Sequence, residues 1–241
     1  MSSIFILLRA LCMGAVCVGV AGCVARDGAI ADPIQRNFQW FSFVGGDDIR
    51  ARCAPGVPGR YRFVYNAVWE EQVRVYDVER LPRGQGATLS ATVIRGAPRL
   101  LQAYLLDPSG GGTQRAQVLL GEVEVAALST ALAAAGFDRA PADGTRLQSY
   151  DFYWLVNACV DGRWHLNAWR RQDPGFDRLA FDRLLFAQDR TAVPVNPVRP
   201  VDPAQRLVRS GDAPGERGRA AGDSFELMIR NGRLFGHAGL F

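Results

Sequence analysis

Asp161-Gly162 separates two strand-like runs, 150–160 and 163–171, and constrains the fold more than any other feature of the chain. An Asp-Gly step between alternating apolar runs marks a two-residue hairpin, because both turn residues tolerate positive φ. A turn of that length sets the register by counting. Cys159 then faces Trp164, Asn157 faces Leu166 and Leu155 faces Ala168, a mostly apolar side that reads as core. The other side pairs Ala158 with His165, Val156 with Asn167, and Trp154 with Trp169. Trp154, His165, Asn167 and Trp169 thus form either a ligand-binding platform or a second packed surface under the helix that follows. Cross-strand aromatic pairs stabilise sheets whichever holds.

Pro and Gly punctuate the rest of the chain. Strands are expected at 38–44, 61–68, 72–78, 88–95, 100–106 and 116–123, with a turn-rich loop at 45–59 carrying Asp47, Asp48 and Cys53. The period changes at 125–135, where Leu128, Leu132 and Ala135 share a helical face and Gly136 suits the C-terminal cap. A second helix is expected after Asp173 as cap and Pro174 in the first turn, with Phe176, Leu179, Ala180 and Leu184 as its stripe. Residues 191–223 are rich in Pro, Gly and Arg and read as a linker. Its Pro194, Pro197, Pro200 and Pro203 keep the period of polyproline II, as a docking ridge or a stiff spacer. Asn231-Gly232 makes 224–241 a terminal hairpin that returns to the sheet or pairs with a partner. The expected fold is α+β: a mainly antiparallel β-sheet with about two helices and a C-terminal β-hairpin. Residues 38–190 form its globular part.

The first 23 residues hold one Arg, no acid and an apolar run at 10–21, short for a bilayer span and ending in small residues. Residues 4–8 are also apolar, so a longer retained anchor interrupted by Arg9 is the alternative. Val20-Ala21-Gly22-Cys23 closes the run and resembles the lipobox of bacterial lipoproteins. The resemblance implies a signal peptide at 1–22, lipidation of Cys23 and a tether at 23–37. The bilayer is then the first partner, held through several acyl chains. Val24, not Asp, after the cysteine implies the outer membrane, facing the periplasm. Cys12 and Cys17 fall in the leader, so Cys53 and Cys159 remain. In an oxidising compartment they most simply form a disulfide; two buried free thiols are the alternative.

All 28 cationic side chains other than histidine are Arg. Schiff-base chemistry on lysine and the lysine of a phosphate-binding P-loop are therefore excluded. The net charge of +4, with no dense basic run, argues against nucleic acid. No GxSxG, HExxH or CxxC pattern occurs, and two Cys with two His make a poor metal set. No catalytic residue, metal ligand or cofactor is assigned. His237 falls opposite Glu226 in the terminal hairpin, where a surface charge pair is the natural reading. Asp47-Asp48 and Glu70-Glu71 are adjacent carboxylates that point to opposite sides if extended. Asp48 and His165 are the pair that the disulfide could draw together.

Leu128, Leu132, Ala135-Gly136-Phe137, Tyr153 and Asp161-Gly162-Arg163-Trp164-His165 give a helix ending in Gly-Phe, strands about an Asp-Gly turn, then a helix. Over 128–186 this outline resembles emfourin-type protease inhibitors, and the resemblance implies a protein-binding role. The lipobox, the long N-terminal β region and the cysteine pair depart from that pattern. The expected function is a non-catalytic protein-binding or assembly module at the envelope, with an envelope protein as partner. A periplasmic small-ligand carrier and a hydrolase using His165 with nearby carboxylates are the alternatives.

Overall fold

The computed structural model describes residues 40–96, 113–139, 141–201 and 225–238. The leader, the lipobox with Cys23, the tether, the strand expected at 100–106 and most of the Pro-rich segment lie outside the described residues. No helix among the described residues is long and apolar enough to cross a membrane.

Six strands form the central sheet: β1 (Arg60–Ala67), β2 (Gln72–Arg80), β3 (Ala87–Arg95), β4 (Thr113–Leu120), β6 (Phe152–Val160) and β7 (Arg163–Arg170). Their order is β4-β3-β2-β1-β6-β7, and every neighbouring pair is antiparallel. The β6–β7 hairpin has the counted register, Cys159 opposite Trp164 and Trp154 opposite Trp169. Asp161 at φ 50° and Gly162 at φ 72° supply the positive φ values its turn requires.

Both faces of this sheet are covered over its β2-β1-β6 centre. Phe63, Leu89, Trp154 and Val156 point to one side, where they pack with helix residues Leu128, Leu132, Phe181 and Leu185. Those residues belong to α2 (Glu122–Ala134) and α3 (Ala180–Gln188), which follow the short α1 (Asp47–Ala51). Val64, Val75, Leu155 and Leu166 point to the other side and meet Trp40, Val44, Leu227 and Ile229. The cover here is a second sheet, ordered β5 (Arg146–Gln148), β8 (Phe225–Arg230), β9 (Arg233–Ala238). Because both faces are buried, β6 is buried from Phe152 to Cys159 without the usual polar alternation. With nine strands and two helices of seven or more residues, the described chain is α+β.

Three expectations are corrected. Residues 40–44 are helical, not a strand. Trp40, Phe41 and Val44 then share one face against the sheet, whereas extended alternation would have split Trp40 from Phe41. The second helix begins at Ala180, after a 3-10 turn at Phe176–Arg178. Asp173 does not cap it; its carboxylate accepts the Arg170 N–H at 2.7 Å and pairs with that guanidinium at 2.6 Å. The start of the Pro-rich segment is no free linker, as 191–201 lies along the molecule in the bonds described below. The terminal hairpin folds back onto the domain as part of the second sheet, where Leu147 of β5 lies opposite Leu227 of β8 and both are fully buried. Its Gly236 lies so close to the Phe41 ring that a Cβ would meet it at 2.1 Å.

Candidate functional site

The Trp154 side of the central hairpin is a packed layer in the structure. Trp154 is 1% exposed and lies between Tyr65, at 4.8 Å, and Phe181, at 5.3 Å. Asn167 is buried: its Nδ2 donates to the carbonyls of Gly136 at 3.0 Å and Arg139 at 2.8 Å, and its Oδ1 accepts the Ala168 N–H. The Trp169 Nε1 donates to the Ala135 carbonyl at 3.1 Å. A helix leaves its last carbonyls without internal partners. Asn167 and Trp169 supply donors to the end of α2, alongside the Phe137 N–H to Leu132 bond that Gly136, at φ 77°, makes possible. His165 is half-buried with its ring 5.7 Å from Phe137.

On the opposite face, Cys53 and Cys159 form a disulfide with Cα atoms 5.5 Å apart. The bridge ties the loop after α1 to the end of β6 and holds Asp48 over β1. Arg62, 2% exposed, donates to Asp48 at 2.7 Å, Asp77 at 2.9 Å and the Phe43 carbonyl at 2.8 Å, with its guanidinium 3.8 Å from the Phe43 ring centre. Burial works to raise the Asp48 pKa, but the hydrogen bond and charge of Arg62, with the charge of Arg60, prevail and hold it below the usual carboxylate range. At Asp77 burial prevails over the same two arginines and pushes the carboxyl up. Beside the cluster is a polar concavity of ≈490 Å³ lined by Arg60, Asp77, Glu79, Thr88, Ser90 and Gln117.

These positions do not make an acid–base pair of Asp48 and His165. Asp48 bonds Arg62, which shares its face with Asn157, whereas His165 lies opposite Ala158 on the other face. The sheet stands between them. Asp47 accepts from Ser42 and Arg50, and Glu71 pairs with Arg199 at 2.6 Å. Glu226 lies opposite His237 in register, and its carboxylate accepts from Arg146 and Gln148. Among the described residues no three His, Cys, Asp or Glu side chains gather as a metal site.

Sequence reasoning missed a second buried arginine. Arg74, fully buried, donates to Asp189, to the Gln72 Oε1 at 2.8 Å and to the Val193 carbonyl. Tyr76 donates to the same Asp189 carboxylate at 2.8 Å, and burial, with the Asp189 charge, pushes its phenol up. Gln72 donates to the Pro194 carbonyl at 2.9 Å and Tyr65 to that of Asn196 at 3.2 Å. These bonds make residues 189–196 a fastened strap. Backbone carbonyls do most of the fastening, and they leave no mark on composition.

The feature that faces solvent is the outer side of α2. Val125, Leu128 and Leu132 point inward, and outward stand Val123, with 80% of its surface exposed, and Ala126, Ala127, Ala133 and Ala134, interspersed with Glu122, Glu124, Ser129 and Thr130. A hollow of ≈340 Å³ lies beside its C-terminal half, lined by Ala131, Ala134, Ala135, Trp169, Arg139 and Arg178 among others. No protein-family model, no curated protein and no solved structure matches this chain.

Proposed function

We propose that the chain is a bacterial lipoprotein, cleaved before Cys23, acylated there and held at the outer membrane facing the periplasm. Its disulfide-bonded domain binds an envelope protein and catalyses no reaction. Val20-Ala21-Gly22-Cys23 supports the anchor, and the Cys53–Cys159 bridge supports an oxidising compartment. The observation that carries the binding role is α2, whose exposed side sets Val123 and four alanines among Glu122, Glu124, Ser129 and Thr130. A surface helix ordinarily carries a predominantly charged or polar outer face, with no bulky apolar side chain standing in solvent. Its exposed Val123 and alanines are therefore read as a protein-contact face.

A photo-crosslinking residue at Val123, in the full-length lipoprotein in intact cells, tests this. The expected result is a discrete crosslinked product in the membrane fraction that vanishes when the probe is moved to exposed Glu79. A product at neither site, with the protein membrane-bound and disulfide-bonded, would refute the contact face. A protein that stays membrane-bound as Cys23→Ser would refute the anchor.

A further inference from the structure

α2 carries acid only at its start, Glu122 and Glu124, and has no basic residue along its length. Beyond its other end stand Arg139 and Arg178, both exposed, on the wall of the ≈340 Å³ hollow. Glu122 is engaged by Arg80 and by the Gly86 N–H. Glu124, Arg139 and Arg178 make no ion pair among the described residues. At about 100° per residue, Val123, Ala127 and Ala134 fall within about 40° of one another, and Glu124 and Ala131 lie beside them toward the hollow. One flank of the helix therefore runs from a free carboxylate and an exposed valine, along small residues, to a cavity between two free guanidiniums.

A surface with unlike ends of this kind is complementary to itself turned round. Two-fold pairing places the start of one helix over the end of the other, and each contact then occurs twice. We propose that the protein forms a two-fold dimer through antiparallel α2 helices. Val123 of each copy enters the hollow of the other, and Glu124 lies between Arg139 and Arg178 of the other copy. The inference rests on the reading of α2 as a protein-contact face and names its partner as a second copy of this chain. Alanine at 127 and 134 lets the helices approach closely, since interaxial distance is set by the side chains at the contact. Antiparallel macrodipoles add attraction of the same sign, positive end over negative end.

Charge reversal in the full-length chain, extracted in detergent, tests the pairing by its mass as a function of concentration. The unaltered chain is expected to be dimeric. Glu124→Arg alone, or Arg139→Glu with Arg178→Glu, sets like charges together in both copies and should weaken association about tenfold or more. Mixing the two altered chains should restore the dimer, because every arginine then meets a glutamate. All three altered positions are at the surface, and circular dichroism with an intact disulfide verifies folding. A monomeric unaltered chain, a dimer indifferent to both reversals, or no rescue on mixing would overturn the proposal. If the chain is monomeric while the Val123 probe captures a different protein, self-pairing fails and the contact-face reading stands. If it is monomeric and the probe captures nothing, both fail.

Discussion

The central sheet buries one arginine on each face, and the two are neutralised in different ways. Arg74, on the helix side, is fully buried and has one carboxylate, Asp189, whose side chain is 5% exposed. The rest of its shell is neutral: the Gln72 amide oxygen and the Val193 carbonyl. Arg62, on the side of the second sheet, is as deeply placed but has two carboxylates, Asp48 and Asp77, with side chains 37% and 25% exposed. Removing a charge from water costs several kcal/mol, and only good geometry with full hydrogen bonding offsets it. One face meets that cost with a single dry partner carried by the strap. The other meets it with two partners that still touch solvent, so neither is indispensable.

The largest effect should come from removing the single partner. Asp189→Ala leaves Arg74 as an uncompensated buried charge and is expected to cost about 3–5 kcal/mol in chemical denaturation. It also frees the Thr191 N–H and hydroxyl, which bond Asp189 at 2.8 and 2.6 Å. Backbone hydrogen exchange across 190–196 should accelerate as the strap lifts. Asp48→Ala, with Asp77 still in place and solvent nearby, should cost about 1 kcal/mol. If the two substitutions cost the same, the contrast between a sole and a shared partner is wrong.

The disulfide belongs to the second face alone and should rank next. Cys53 and Cys159 are 106 residues apart in sequence, and replacing both by Ser is expected to cost about 2–4 kcal/mol. The loosening should be local. Exchange should rise over α1 and the loop that follows, where Asp48 is positioned, while the strap on the opposite face stays protected. Equal loosening of both faces would mean that the sheet does not isolate them.

What was legible in the sequence was what short-range geometry determines. Asp161-Gly162 admits few turn types, so the β6–β7 register followed by counting, and Gly136 marked the end of α2 because it sits where a left-handed residue is needed. Cys53 and Cys159 were paired by elimination, as the two cysteines outside the leader and the lipid site. The rest depended on partners far along the chain. Arg62-Phe63-Val64 and Arg74-Val75-Tyr76 read only as strands, because alternation does not announce that the second sheet will cover Arg62 on one face and the strap will cover Arg74 on the other. Asn167 and Trp169 stayed open between a ligand platform and a packed surface, since the carbonyls they satisfy lie about thirty residues earlier, at Ala135, Gly136 and Arg139. The strap looked like a linker because its burial has no period. The outer side of α2 was overlooked because only its inward stripe was counted.

The smallest effects, and the finest test of the contrast, lie in acid. Asp189 is lowered: burial tends to raise it, but the bonds from Thr191 and Tyr76 and the charge of Arg74 prevail. Asp48 is lowered by Arg62 and Arg60 in the same way. A carboxyl held below its unfolded value contributes stability above that value, near 3.8, and loses it as pH falls through the folded pKa. Asp77 is raised by burial, so the sign reverses: its contribution is full below 3.8 and is lost as pH rises through the folded pKa. The carboxylate paired with Arg74 therefore titrates with one sign, and the two paired with Arg62 with signs that oppose. Thermal unfolding from pH 7 to pH 3 should show a shallower acid slope for Asp48→Asn than for the unaltered protein. Asp77→Asn, which removes the opposing group, should show a steeper one. Each difference should reach no more than about 2–4 °C, the size of a 1 kcal/mol effect in a chain of this length. Parallel slopes for the two variants would mean that Arg60 and Arg62 hold both carboxylates alike, and that the second face shares its charge as evenly as the first concentrates it.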